Sequence, residues 1–354
     1  MKFKILLLSL LLSTGSFAAE KNLIRIGVQS GGTIAWELPA LQDELEAKQA
    51  DIQLDIQQVA SAEAGKAALQ SGAVDIIVSD WIWVSGLREK GADFTFYPYS
   101  DISGALMAPK DSGIHSLQDL KGKRLGIAGG ELDKNWLLLQ TLAKQQLDMD
   151  LDASVEKIFA APPLLNEQLK QGRIDAVLNY WHFAARLEAE GYRTLIDGRS
   201  ILQGLGISEA VANIGYVFKQ SWADRHKQAL RQFLDAGKQA KQTLCSSDTA
   251  WQKIIPLTKI DDETARKHLR QNYCAGNIEH WGEAEQQAAG KVYLLLHKQS
   301  KQALTGKSEQ LQPGTFWRDN SPPINKTLSV LPTCPVLKGG TPRYTNVGSL
   351  GHLS

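Results

Sequence analysis

Apolar positions along this chain alternate between two rhythms. From Leu23 to Ser100, short β-branched runs are separated by segments of helical period. LIRIGVQ (23–29), IQLDIQQVA (52–60), VDIIVSD (74–80) and FTFYPYS (94–100) read as strands. WELPALQDELEAKQ (36–49) and AEAGKAALQSG (62–72) read as amphipathic helices, and a shorter helix ends at Gly91. Pro39 fits a helix that starts near Trp36, where it would occupy the first turn. The order then returns. RLGIA (124–128), SVEKIFAA (154–161) and IDAVLNY (174–180) are strands, and LDKNWLLLQTLAKQQ (132–146), PLLNEQLKQG (163–172) and HFAARLEAEG (182–191) are helices.

The two stretches are in register at an offset of 100. Gly72, Asp75, Trp81, Leu87 and Gly91 match Gly172, Asp175, Trp181, Leu187 and Gly191 without a gap, and Trp36 matches Trp136. The shared order predicts an α/β protein of two lobes, each a mostly parallel sheet flanked by helices. After the strand-like ANIGYVF (212–218) only helical patterns follow, to about Ala303. This C-terminal helical block is expected to pack back on the first lobe. The boundaries are thus residues 19–103 plus about 209–303 for lobe one, and 104–208 for lobe two. Six of the 12 prolines fall in residues 313–342 with no apolar periodicity, so 304–354 reads as an extended or disordered tail.

Lys2 and Lys4 precede the apolar run Ile5–Leu12 and a small-residue stretch, Ser13–Ala18. That is the form of a signal peptide cleaved after about Ala18, and no cysteine stands there to take a lipid. The mature chain is expected to be exported and soluble. Loss of Lys2 and Lys4 leaves 37 basic against 38 acidic side chains, which argues against nucleic acid or a membrane surface as a partner. Of the three cysteines, Cys245 and Cys274 are the natural pair in an oxidising compartment. Their bridge would close a loop of about 30 residues, worth roughly 3–4 kcal/mol on the chain-entropy model. Cys334 is left over; the alternative is that all three stay reduced.

In open parallel sheets ligands bind beyond the carboxyl ends of the strands, where helix N-termini present free N–H groups. The mouths of lobe one are 29–37, 60–65 and 79–83; those of lobe two are 128–136, 160–167 and 179–183. The pairs Gly31–Gly32 and Gly129–Gly130 allow a tight turn and close approach to a ligand. The candidate ligand-binding residues are Trp36, Glu37, Asp80, Trp81, Glu131, Asp133, Trp136, Tyr180, Trp181 and His182. Asp80 stands out because a carboxylate that closes a buried strand needs a partner. Any one of the tryptophans packs a core as readily as it recognises a ligand, so the argument rests on the pairing of Trp81 with Trp181. Asp75 and Asp175 lie inside the strand pattern and read as structural.

IRIGV (24–28), AGKAALQSGAVD (64–75), HSLQDLKGKRLGIAGG (115–130) and QLKQGRIDAVLNY (168–180) resemble the periplasmic solute-binding proteins of ABC importers, of the nitrate/taurine/sulfonate and thiamine-precursor-like type. The resemblance spans roughly residues 23–241. It implies a two-lobed periplasmic binding protein of type II-like fold, with crossovers near Ser100–Ala108 and Ile207–Val217. The lobes would close by a hinge on a small-molecule ligand and deliver it to an inner-membrane ABC permease with its ATPase. It also implies a periplasmic monomer without cofactor or catalytic residues. Relatives that bind sulfonates or nitrate present small hydroxyl and basic groups at the second-lobe mouth. Here that position carries Glu131 and Asp133, Glu37 and Asp80 add charge opposite, and no arginine occupies a mouth. Tryptophans with carboxylates suit a cationic or flat heterocyclic ligand.

Three other readings compete. Glu37, Asp80, Glu131 and Asp133 could converge on a hard cation, although no calcium-loop spacing is present. A sensor or accessory protein of the same fold would not transport. An enzyme is disfavoured: RLGIAGGELD fails the dinucleotide pattern, and no nucleophile elbow, zinc helix or phosphate loop occurs.

Overall fold

The computed structural model describes residues 22–29 and 32–318. The signal peptide, Gly31 and the stretch from Asn320 with Cys334 lie outside the described residues. The first alternating stretch gives β1 (Asn22–Gln29), α1 (Thr33–Ala47), β2 (Ile52–Val59), α2 (Ala62–Ser71), β3 (Ile76–Ser79), α3 (Trp81–Glu89) and β4 (Phe94–Ser100). The second gives β5 (Gly104–Ala108), β6 (Arg124–Ile127), α4 (Lys134–Leu147), α5 (Leu151–Ser154), β7 (Glu156–Phe159), α6 (Pro162–Lys170), β8 (Ala176–Tyr180), α7 (Trp181–Ala189) and β9 (Arg193–Asp197). After α8 (Gly198–Gly204) come β10 (Ile214–Lys219), α9 (Gln220–Arg225), α10 (Lys227–Ser246), α11 (Asp248–Thr258), α12 (Glu263–Ala275) and α13 (Glu283–Gln299).

The strands form two sheets of the same design, β2-β1-β3-β10-β4 and β7-β6-β8-β5-β9. In each sheet the first three strands are parallel and the fourth runs against its neighbours. That fourth strand is an exchange. The chain leaves β4 and enters the second sheet at β5 after residues 101–103, then returns to the first sheet at β10 through residues 205–213. These are the two crossovers that join the halves.

The matched aspartates explain why both sheets start alike. Asp75 accepts from the backbone N–H of Arg25 at 2.9 Å and takes its guanidinium side-on, with Nη2 at 2.6 Å. Asp175 does the same to Arg124, at 2.8 and 2.7 Å. Each pair locks the entry of one central strand to its neighbour through charge-assisted bonds. Arg124 holds the Asp175 carboxyl below its ordinary range.

Two expectations need correction. Helix α1 begins at Thr33, so Pro39 sits in its second turn. The reason is a tight turn, in which Gly32 donates to the Gln29 carbonyl at 3.1 Å and leaves little loop to spend before the helix starts. The C-terminal helices do not all pack on the first half. Leu230, Phe233 and Leu234 of α10 join the apolar layer of the first sheet with Leu38 and Leu41 of α1. In contrast α12 lies on α7 and α13 on α4, and Val292, Tyr293 and Leu296 enter a core shared with Trp81 and Trp136.

The segment from 304 is also fixed, as far as Trp317. Phe96 donates to the Thr315 carbonyl and accepts from the Trp317 N–H, both at 2.8 Å, so this stretch pairs along β4. Phe316 packs edge-on against Trp81, Phe96 and Trp281, and Trp317 against Tyr97 and Phe218. Proline-rich composition masked three residues that cover an otherwise open edge strand. Cys245 and Cys274 form a disulfide with Cα atoms 5.7 Å apart, which ties the end of α10 to the end of α12.

Candidate functional site

The mouths are built by caps. Asp80 ends the β3 run because its Oδ1 accepts the N–H of Trp83 at 2.9 Å, closing the first turn of α3. Asp133 caps α4 in the same way, accepting from Trp136 N–H at 3.1 Å, and Ser61 caps α2. The carboxylates at these strand ends thus satisfy the orphan donors of the following helix.

Trp81 and Trp181 occupy the same place, the first residue of a helix after a central strand, and each engages one crossover. Trp81 is 2% exposed, and its indole N–H donates to the Ala212 carbonyl at 2.7 Å. The backbone N–H of Trp181 donates to the Ser103 carbonyl at 2.9 Å. The Trp181 ring then meets Trp36 edge-on at 6.2 Å, and Trp36 meets His182 at 6.5 Å. A helix from the first sheet therefore touches a helix from the second through three aromatic rings, near the N-terminal end of both. Burial, aided by the neighbouring Arg186, depresses His182 to about 4, so its ring is neutral at neutral pH. The Trp36 Nε1, His182 Nδ1 and Arg186 Nε atoms are buried without a partner among the described residues.

A second grouping lies in the other half. Gly129 and Gly130 both have φ near +84 (83 and 84°), which glycine adopts without strain. A Cβ at Gly129 would come within 2.6 Å of Asp133 Oδ2 and 2.8 Å of the Tyr180 hydroxyl. Asp133 and Tyr180 thus converge on one glycine-lined point. Burial lifts the Asp133 carboxyl to about 6, and burial with the charge of Asp133 lifts Tyr180 to about 12.

The remaining expected residues are placed elsewhere. Glu37 is fully buried and turned away from the mouth, toward α10 and α12. The Tyr273 hydroxyl donates to its Oε1, and Lys241 Nζ lies 3.8 Å away. Trp81 and Trp136, 2% and 1% exposed, are packing groups of one apolar core, because their helical phase points them inward. Asp80 is engaged as a cap, and Glu131 is exposed on its loop. The four carboxylates do not converge, and among the described residues no group of three or more His, Cys, Asp or Glu side chains is placed to hold a metal ion. That removes the basis for the hard-cation reading.

Several residues were missed. Asn179 is 1% exposed and donates to the Pro162 carbonyl at 2.9 Å and to Asn166 Oδ1 at 2.8 Å, while Asn166 donates to the Phe183 carbonyl at 3.0 Å. These two amides tie two mouths of the second half together. The signal was present: an asparagine inside the apolar run AVLNY has to be satisfied. Lys134 donates to the Asn213 carbonyl at 3.0 Å and so fastens α4 to the second crossover.

With this geometry in view, the similarities to known proteins are informative. The family model described as NMT1/THI5 like matches residues 48–248. The arginine-binding extracellular protein ArtP of Bacillus subtilis (strain 168) is 28% identical over 179 residues, 49% of this chain and 63% of that protein. The L-cystine-binding protein TcyJ of Escherichia coli (strain K12) is 29% identical over 113 residues, 32% of this chain and 38% of its own length. The match therefore spans less than two thirds of either relative. Among solved structures, the alkanesulfonate-binding protein SsuA from Xanthomonas axonopodis pv. citri, bound to MOPS, superposes with a TM-score of 0.63 at 19% identity, over 85% of this chain and all of that one. At that identity the likeness is one of fold, the two-lobed fold of periplasmic binding proteins. The matched family model covers more than half of the sequence, and the chain belongs to the NMT1/THI5-like family.

Proposed function

We propose that this protein is the exported solute-binding component of an ABC importer, which captures a small organic ligand between two lobes and delivers it to a membrane permease with its ATPase. One lobe is built on residues 19–103 with the returning strand β10, the other on residues 104–208, with the C-terminal helices packed across both, and the protein works as a periplasmic monomer. The observation that carries this reading is the contact of Trp36 with Trp181 and His182, which joins the helix N-termini of the two sheets where a shared ligand would lie. Two crossovers beside that contact supply the hinge. Relatives named for binding arginine and cystine support solute capture as the activity.

A cationic or flat heterocyclic ligand fits best. Asp133 and Tyr180 offer a carboxylate and a hydroxyl at a glycine-lined point, the aromatic rings offer faces, and Lys134 is already engaged. One observation favours an anion instead: Arg186, over the Phe183 ring at 5.3 Å, keeps an Nε without a partner among the described residues. The alkanesulfonate-binding structural neighbour is in keeping with that second reading.

A thermal-shift screen of the mature chain separates them, with panels of small anions, of heterocycles and organic cations, and of metal ions. A ligand at 1,000 times its Kd adds about 4 kcal/mol, enough to raise Tm by several degrees. The expected result is a shift with cations or heterocycles that Asp133→Asn abolishes. Asparagine caps a helix as well as aspartate does, so this variant removes charge and keeps α4. A shift confined to anions and lost in Arg186→Gln would transfer the assignment to the second reading. No shift in any panel would reject capture of these solutes.

A further inference from the structure

The Cys245–Cys274 disulfide ends beside the first crossover. Cys274 is the penultimate residue of α12, and the three residues after it hold the chain where it leaves β4. The Gly276 carbonyl accepts the N–H of Asp101 at 3.0 Å, and Asn277 pairs with Ser100 in an isolated antiparallel bridge. The Ala275 carbonyl accepts from Arg199 Nη2 at 3.0 Å, and the same Nη2 donates to Asp101 Oδ2 at 2.7 Å. A Cβ on Gly276 would come within 2.7 Å of Ile102 Cβ, so here the absent side chain lets two backbones meet. Residues 275–277 are thus the seat of the first crossover, and the disulfide fixes that seat to the end of α10.

The two sulfurs differ in surroundings. Both cysteines are half-buried, but Cys274, with the exposed Ala275, lines a cavity of about 520 Å³ beside the crossovers, and Cys245 does not. Cys245 Sγ instead accepts from Asn277 Nδ2 at 3.5 Å. A nucleophile in the cavity therefore meets Cys274, while a departing Cys245 thiolate finds an N–H donor already in place. Arg270 supplies a second tie between the helices. Its Nε donates to the Leu244 carbonyl and its Nη2 to the Cys245 carbonyl, both at 3.2 Å. These bonds join α12 to the end of α10 without passing through sulfur, so loss of the disulfide frees the seat and leaves the helices together.

We propose that Cys245–Cys274 is a reducible stay on the hinge, opened by an external dithiol through attack at Cys274, and that its opening loosens the first crossover. The proposal rests on the crossovers acting as the hinge of solute capture, and it adds a control to that hinge. In the first step a dithiol thiolate forms a bond to Cys274 Sγ; the Cys245–Cys274 bond breaks, and Cys245 leaves as a thiolate that takes up a proton. In the second, the other thiolate of the reductant attacks its own sulfur in the mixed disulfide and expels Cys274, which is protonated in turn. The dithiol becomes a cyclic disulfide, and its two electrons reduce the bridge.

Two measurements test this on the mature chain carrying Cys334→Ser, in which the bridged pair holds the only cysteines. In one, the folded protein is treated with reduced glutathione and quenched with iodoacetamide, and its peptides are weighed. The expected products carry glutathione on Cys274 and the alkyl group on Cys245. In the other, amide hydrogen exchange is followed before and after dithiothreitol. Exchange over residues 100–103 should quicken by about tenfold or more while β6 and β8 stay unchanged, and Cys245→Ser/Cys274→Ser should exchange as fast without reductant. Glutathione mainly on Cys245, a bridge that opens only in denaturant, or a crossover whose exchange does not change would each overturn the stay. So would faster exchange throughout β6 and β8, which would make the bridge a support of the whole fold. Neither readout uses a solute: failure of the solute screen would leave this coupling standing, and failure here would leave solute capture standing.

Discussion

Asp133 is a cap and a charge at once. Its carboxyl titrates at about 6, above the ordinary aspartate value, because burial disfavours the anion. The folded chain therefore holds this proton more tightly than the unfolded one, and the associated stability is lost as pH rises from about 4 through about 6. A cationic ligand that pairs with the anion should show the opposite trend. Its affinity is expected to rise between about pH 5 and 7 and to become flat in Asp133→Asn, as titration calorimetry across that range would reveal. If the native chain shows no such rise, Asp133 does not meet the ligand. The cap at Asp80 was legible as a carboxylate closing a strand, and Asp133 as a charge at a mouth, but their partners were not. A sequence shows that a buried strand ends on an acid; only the helix that follows shows that its own N–H groups consume it.

Helix α1 carries the largest electrostatic commitment, and it concerns packing. Burial pushes the Glu37 carboxyl up and the Lys241 ammonium down, while Lys241 also donates to the Tyr99 carbonyl and lies 3.4 Å from the centre of that ring. With Tyr273 from α12 the pair joins α1, β4, α10 and α12. Lys241→Met is expected to cost about 3–5 kcal/mol, since it strands a buried carboxylate, and adding Glu37→Gln should recover most of that loss. Urea unfolding would decide it, and a single variant as stable as the native chain would refute the pairing. Nothing in the sequence announced this. Lys241 sits in QAKQT, one polar residue among many on an amphipathic helix, and Glu37 and Tyr273 are 236 positions apart. The alternation of strands and helices was legible because period reports burial directly. Which polar residue turns inward depends on helix phase, and the start of α1 was misjudged by three residues.

At the scale of the whole molecule, the repeat read at an offset of 100 is real architecture: two sheets of one design, each opened by an Arg–Asp lock. The fold was legible because the two copies support each other, whereas the C-terminal helices have no copy to compare with and were assigned to one half when they span both. The exchange of the fourth strand carries a consequence for the order of assembly. All five strands of the second sheet lie between Gly104 and Asp197, a continuous stretch, so this sheet is complete as soon as that stretch exists. The first sheet is not. Until β10 is made, β3 and β4 have no strand between them, and the earliest residues to be synthesised must wait for a return that begins at Ile214. Pulse-labelled hydrogen exchange during refolding is expected to protect β5 to β9 before β3 and β4, and simultaneous protection would refute that order. If the chain is exported as proposed and emerges from its amino end, the first hundred residues would cross the membrane as an unfinished half, open to chaperones, and the stretch that follows would be the first able to close upon itself.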